Sequence, residues 1–313
     1  MQKPPETSAS SLFKTVIGSV CLRSPVMTAS GTAGRSNELG GYGSLDQLGA
    51  VVIKSLSAES WVGNKAPRLA PVRAGMINSV GLQGPGVSAW LDDDLPALAD
   101  SGADVVASIW GTTVGDYRTA AEMLQGALPC LVAVEVNLSC PNTSHGRRMF
   151  SHSLKDTEEV MEATEVCGLP RWAKLSPNTA DISAIAAAAV QGGASAVVLT
   201  NTLTGMVIDI DRRRPHLGGG GGGVSGAALH PVAVRAVYDV HRAFPELPII
   251  GVGGVASGED AVELILAGAS AVQVGTAIFA DPRAPWKVLH ELQGWLNQAG
   301  VEKLEEVIGA AHS

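Results

Sequence analysis

Eight short, mostly apolar runs recur along the chain, at 25–30 (PVMTAS), 50–55 (AVVIKS), 104–109 (DVVASI), 130–139 (CLVAVEVNLS), 171–176 (RWAKLS), 195–201 (SAVVLTN), 247–253 (LPIIGVG) and 270–276 (SAVQVGT). Apolar residues fill these runs rather than alternate, as in strands covered on both faces. Amphipathic segments of helical length separate most of them, at 114–125, 154–166, 182–191, 231–243 and 260–267. Ser257, ahead of Gly258, Glu259 and Asp260, reads as a helix N-cap, and Gly268 as the stop. Strand and helix alternating eight times predict a parallel sheet closed into a (β/α)8 TIM barrel of the α/β class. No break in composition marks a second domain, so residues 1–313 are expected to form one unit.

Two gaps between runs are long, and both follow the C-terminal end of a strand, the catalytic rim of such a barrel. Residues 56–103 are rich in Pro and Gly, and residues 202–226 hold three arginines (Arg212, Arg213, Arg214) followed by six consecutive glycines at 218–223. Long connections in compact domains usually carry function.

Composition narrows the class. Lys and Arg total 22 against 30 Asp and Glu, a net charge of −8, which leaves no electrostatic footprint for wrapping nucleic acid. With 46% hydrophobic and 17% charged residues the chain is not disordered, and 37 glycines point to tight turns and close backbone approaches. The most apolar long stretch, 182–199, is split by Gln191, Gly192 and Gly193 and reads as helix, turn and strand rather than a membrane span. No secretion signal opens the chain, and Cys21, Cys130, Cys140 and Cys167 show no metal-site spacing, so free thiols in a reducing cytoplasm are expected.

Polar residues gather where the predicted strands end. Lys54 closes the second run, Asn137, Ser139 and Cys140 the fourth, Lys174 and Ser176 the fifth, and Asn201 with Thr202 the sixth. Gly253 with Gly254 and Gly275 with Thr276 close the last two. Singly, each has a bland explanation as a surface lysine or turn chemistry. Together, on one rim, they predict a functional mouth. Glycines after the seventh and eighth strands suit a phosphate held by backbone amides, with an ordinary turn as the alternative. Lys54 and Lys174 would bring positive charge to an anionic ligand. Cys140, followed by Pro141 and flanked by Asn137 and Asn142, reads either as a buried structural thiol or as a base whose pKa the site lowers. The other three cysteines read as packing residues.

These same residues resemble the class 1 dihydroorotate dehydrogenases, over nearly the whole chain from about residue 25 to 280. The resemblance rests on Asn137-Leu138-Ser139-Cys140-Pro141-Asn142 and Asn78-Ser79-Val80-Gly81-Leu82, with Ala173-Lys174-Leu175-Ser176-Pro177-Asn178, Thr200-Asn201-Thr202 and the glycine pairs adding order. It implies a cytosolic FMN-containing (β/α)8 barrel that oxidises dihydroorotate to orotate in pyrimidine synthesis. By the same resemblance, Lys54, Asn78, Ser79, Val80, Gly81, Leu82, Asn137, Asn142, Asn201 and Thr202 hold the substrate. Ser30, Ser55, Lys174, Thr200, Gly226, Gly253, Gly254, Gly275 and Thr276 hold FMN, with Lys54 and Asn137 serving both ligands. Cys140 is then the base for the C5 proton while hydride leaves C6 for the flavin, and the loop 143–152 is a lid.

The string Gly81-Leu82-Gln83 with Pro85 and Gly86 is similar to the NAD-linked branch. That branch implies an iron–sulfur flavoprotein electron-transfer subunit, whereas the fumarate-reducing branch implies a homodimer alone. Three positions depart from the pattern: Ser108 replaces an asparagine that contacts FMN, Gly84 replaces another asparagine, and the glycine run with its arginines is unusual. Competing expectations are a dihydropyrimidine dehydrogenase-like barrel, for which Lys54 lacks a carboxylate to bind, and a non-redox phosphate-binding barrel.

Overall fold

The computed structural model describes residues 14–127, 129–142 and 148–312, the side chains of 141, 142 and 148 excepted. Every predicted run contains a barrel strand: β1 (Val26–Thr28), β2 (Val51–Val52), β3 (Val105–Ile109), β4 (Leu131–Asn137), β5 (Arg171–Leu175), β6 (Ala196–Leu199), β7 (Ile249–Val252) and β8 (Ala271–Val274). They form one eight-stranded sheet in which β1 pairs with β8 and the order runs back through β7, β6, β5, β4 and β3 to β2, every described pairing parallel. The helices sit where periodicity puts them, including Ile182–Gln191 and Gly258–Ala267. The latter opens on a capping box between Ser257 and Asp260 and stops at Gly268, as the sequence predicts.

The seam between β1 and β2 is closed by backbone and side chain together: the Gly49 amide donates to the Val26 carbonyl at 2.8 Å and the Thr28 amide to the Ala50 carbonyl at 3.3 Å. The Val51 and Ile53 amides donate to β3, at Asp104 and Val106, so the amide of Val52 faces β1 instead. It donates to Thr28 Oγ1 at 2.9 Å, and that hydroxyl in turn reaches the Val52 carbonyl at 3.3 Å. A hydrogen-bonding side chain thus continues a backbone ladder that two short strands leave unfinished.

Side chains on each strand alternate between the helix-packed outside and the interior of the barrel. The lower interior is apolar, built from Met27, Val52, Val106, Ala133, Trp172, Val198, Ile250 and Ala271. An antiparallel hairpin, Thr15–Ile17 with Val20–Leu22, plugs the bottom with Ile17, Val20 and Leu22. Cys21, expected as a packing residue, points to solvent because it occupies the outward position of that hairpin.

The two long gaps meet over the opposite end. Leu203–Gly205, Gly222–Ser225, Gly75–Asn78 and Leu69–Val72 form a four-stranded antiparallel sheet in that order, roofing the rim where the barrel strands end. The glycine run is what lets it assemble. A Cβ on Gly223 would lie 2.0 Å from Thr202 Oγ1, and one on Gly222 would lie 2.3 Å from the Asn78 carbonyl oxygen. Among the described residues no helix is long and apolar enough to cross a membrane.

Replacing Thr28 with Val keeps shape but orphans the buried Val52 amide, so stability should fall by about 1–3 kcal/mol, the cost of an unsatisfied buried polar group. Thr28→Ser should recover most of that loss. Denaturant unfolding of the three proteins checks both.

Candidate active site

A cavity of about 600 Å³ opens between the barrel rim and the roof sheet. Each predicted site residue lines it except Asn142, whose side chain lies outside the described residues. Ser30 comes from the end of β1, Lys54 and Ser55 from β2, Asn137 and Cys140 from β4, Lys174 from β5 and Thr200, Asn201 and Thr202 from β6. Gly253 and Gly254 follow β7, and Gly275 and Thr276 follow β8. The roof adds Gly226 and the stretch Asn78, Ser79, Val80, Gly81 and Leu82. Beyond Cys140 the chain turns back in a short pairing of Asn142 with Arg148, and Met149 returns to the cavity wall. Residues 143–147 of the expected lid lie outside the described residues.

At one end of the cavity the wall is bare backbone. Gly253 and Gly254 have φ of 140° and 74°, and a Cβ on Gly254 would sit 2.6 Å from His230 Cβ. Only glycine permits that backbone, which brings amides within reach of a ligand. His230 Nδ1 holds the Gly253 carbonyl at 2.9 Å, while its Nε2 meets Glu263 at 2.9 Å. Sequence reasoning passed over His230 because it stands one residue before the amphipathic segment 231–243 and shows no partner in the local sequence. Thr276 Oγ1 donates to Ser225 at 2.8 Å, tying the last barrel loop to the roof.

The middle and far end carry the polar side chains. Asn201 Nδ2 donates to Asn137 Oδ1 at 3.2 Å, and Asn78 Nδ2 to the Gly223 carbonyl at 3.3 Å. Two buried hydroxyls on the wall, Thr200 Oγ1 and Ser139 Oγ, have no hydrogen-bond partner among the described residues. Such groups are costly to bury unless something completes them. Lys54 makes no salt bridge among the described residues, so its ammonium is available to an anionic ligand. Enclosure lowers its pKa below the usual lysine value, and the Cys140 sulfur opposes that shift.

Cys140 is buried at the cavity wall. The expectation that the site lowers its pKa is not met, because burial pushes the thiol up to about 12. Tyr117 and Lys54 both pull the other way, but desolvation outweighs them. Tyr117 is itself buried, and its hydroxyl donates to the Asn137 carbonyl at 2.6 Å.

Ser108 does not reach the cavity. It lies behind Ser55, with their hydroxyl oxygens 2.8 Å apart, and donates to Glu135 at 3.2 Å. Glu135 and Gln273 are fully buried within the barrel beneath Lys174. Sequence reading missed both. The available signal was a lone polar residue inside an apolar run, in the case of Glu135 two positions before the strand-end Asn137.

A (β/α)8 barrel whose strand ends bring glycines, two lysines, asparagines and a buried thiol to one cavity has the architecture of a barrel enzyme. The dihydroorotate dehydrogenase family matches residues 12–296, and the chain belongs to that family. Membership makes it an oxidoreductase and implies a flavin cofactor. It is 47% identical to the catalytic subunit of dihydroorotate dehydrogenase B (NAD+) from Alkaliphilus metalliredigens, covering 95% of this chain and 98% of that one. To the protein of the same name from Geobacter sulfurreducens it is 42% identical, covering 94% and 96%. A relative from Solibacter usitatus, 44% identical over 94% and 97%, carries a name linked to fumarate instead.

Cys140→Ala should lower turnover by about 10²- to 10⁴-fold, the worth of one positioned base, without loss of bound ligand. Because the thiol must ionise from a raised pKa, wild-type kcat/KM should climb with pH through the alkaline range. The climb should end where Lys54, with its lowered pKa, loses its charge. A stopped-rate pH profile of both proteins, flat on the rising side for the alanine variant, is the check.

Proposed function

We propose that the whole chain is one FMN-binding unit that oxidises dihydroorotate to orotate in the de novo pathway to UMP. The reading is carried by one observation: Cys140, a Lys54 ammonium without a salt bridge among the described residues and the asparagines 78, 137 and 201 line one cavity together with the glycine pairs. Dihydroorotate is an anion with a ring of amides, and this set offers one cation and several amide partners. Dihydrouracil would leave Lys54 without a carboxylate.

FMN fits the remaining features. Gly226, Gly253, Gly254, Gly275 and Thr276 would hold its phosphate through the cradle that side chains at the glycines would fill. Ser30, Ser55, Thr200 and Lys174 would hold the ring, and Thr200 Oγ1 would gain the partner it lacks. When bound, FMN supplies the two-electron acceptor for the hydride lost from C6. The protein's own part is to bind, orient and move one proton. Lys54 anchors the carboxylate, Asn78, Asn137, Asn142 and Asn201 with Thr202 fix the ring amides, and the Cys140 thiolate removes the proton from C5. Ser79, Val80, Gly81 and Leu82 bring the roof over the ring, and the segment 143–152 excludes water.

The relatives named as catalytic subunits support a second subunit, for which the resemblance implies an iron–sulfur flavoprotein passing electrons to NAD. The fumarate-linked relative supports the other acceptor and a homodimer acting alone. A cytoplasmic location is consistent with the free thiols.

The purified protein should be yellow, and dihydroorotate added anaerobically should bleach it within a turnover. Bleaching by dihydrouracil alone would move the assignment to the other reduced pyrimidines, and a colourless protein would overturn it. Reoxidation of the bleached protein by fumarate, or by NAD only after a partner subunit is supplied, separates the two acceptors.

A further inference from the structure

We infer that Glu135 is the positioning residue that sets the charge on Lys174 and the hydrogen-bond direction of the substrate-facing asparagines. The argument deepens the flavin reading and rests on Lys174 being a flavin-contacting group. Glu135 has no exposed surface, and it stands in a barrel interior whose neighbouring layer is apolar. A carboxylate there persists only if it is fully engaged. It is engaged on both oxygens. Oε2 accepts from Gln273 Nε2 at 2.9 Å and lies 3.6 Å from Lys174 Nζ, while Gln273 Oε1 accepts from the same ammonium at 3.0 Å. Lys174 is thereby braced from two strands, β4 and β8, with its remaining N–H directions toward the cavity.

Oε1 governs a second line. Ionised, a carboxylate only accepts, so Ser108 must donate to it. Ser55 must then donate to Ser108, leaving the Ser55 oxygen to accept from Asn137 Nδ2 at 3.4 Å. With its amide nitrogen so committed, Asn137 turns Oδ1 toward the Ser139 amide and Asn201 Nδ2, each at 3.2 Å. One buried charge therefore polarises a chain running to both ligand sites.

The charged or titratable groups facing Lys174 are few. Glu135 lies against it, and Lys54 and Cys140 share the same cavity. Burial lowers the pKa of Lys174, and Glu135 is what opposes that shift. Without the carboxylate, burial prevails and the ammonium loses its proton at a lower pH. The counter-charge for the reduced, anionic flavin then disappears as pH rises.

The test is Glu135→Gln in the holoenzyme, read by the flavin midpoint potential across pH and by the rate of reduction by dihydroorotate. The potential should fall below wild type, with a gap that widens as pH rises, and reduction should slow by roughly tenfold or more, the worth of a hydrogen bond to a charged group. A potential that rises evenly with pH-independent offset, or does not move, would overturn the inference. Unfolding of Lys174→Met, Glu135→Gln and the double variant, each stripped of flavin, supplies an arm that survives failure of flavin binding. The double variant should be more stable than the sum of the two single losses. Simple additivity, or a double variant that does not fold, would reduce Glu135 to a packing role. A protein that never binds flavin would instead sink the functional reading while leaving the coupling measurable.

Discussion

Inside a closed barrel, every second residue of a strand has nowhere to go but the axis. That alternation orders the whole site. On β4 the inward series is Ala133, Glu135, Asn137; on β5 it is Trp172, Lys174; on β8 it is Ala271, Gln273; and on β3 it is Val106, Ser108. Each begins apolar near the plugged end and turns polar toward the roof. The bottom of the barrel supplies burial, and the top uses the rigidity so obtained to hold amides, hydroxyls and charges at fixed spacing.

Much of the fold was legible because buried parallel strands leave an unmistakable trace of uninterrupted apolar runs. The helix ends were equally readable where chemistry marks them, as at Ser257, Asp260 and Gly268. The roof was not. Its strands are short, rich in glycine and paired across about 150 positions, Asn78 with Gly223 for instance, and a pairing of that kind leaves no local periodicity. The bottom hairpin escaped for a similar reason, with three residues per strand and only two facing inward.

The rim residues were legible from strand-end polarity, and the family strings assigned them roles. What lay beneath the rim was not. Glu135, Gln273 and Ser108 are each a single polar position in an apolar run, and the pattern alone does not tell a buried relay from an isolated surface break. The protonation of Cys140 was beyond sequence as well. Its environment combines two favourable neighbours, Tyr117 and Lys54, with an enclosure whose effect exceeds theirs, and only geometry weighs one against the other.

The roof has an implication for how the molecule is held together. Gly75–Asn78 comes from the first third of the chain and Gly222–Ser225 from beyond its two-thirds point, yet the two are adjacent strands of one small sheet. Neither segment can cover the opening by itself. A ligand lodged beneath them therefore clasps distant parts of the polypeptide, and its release should loosen that clasp at once from both sides. Occupancy and the cohesion of the upper rim are, in this architecture, a single variable.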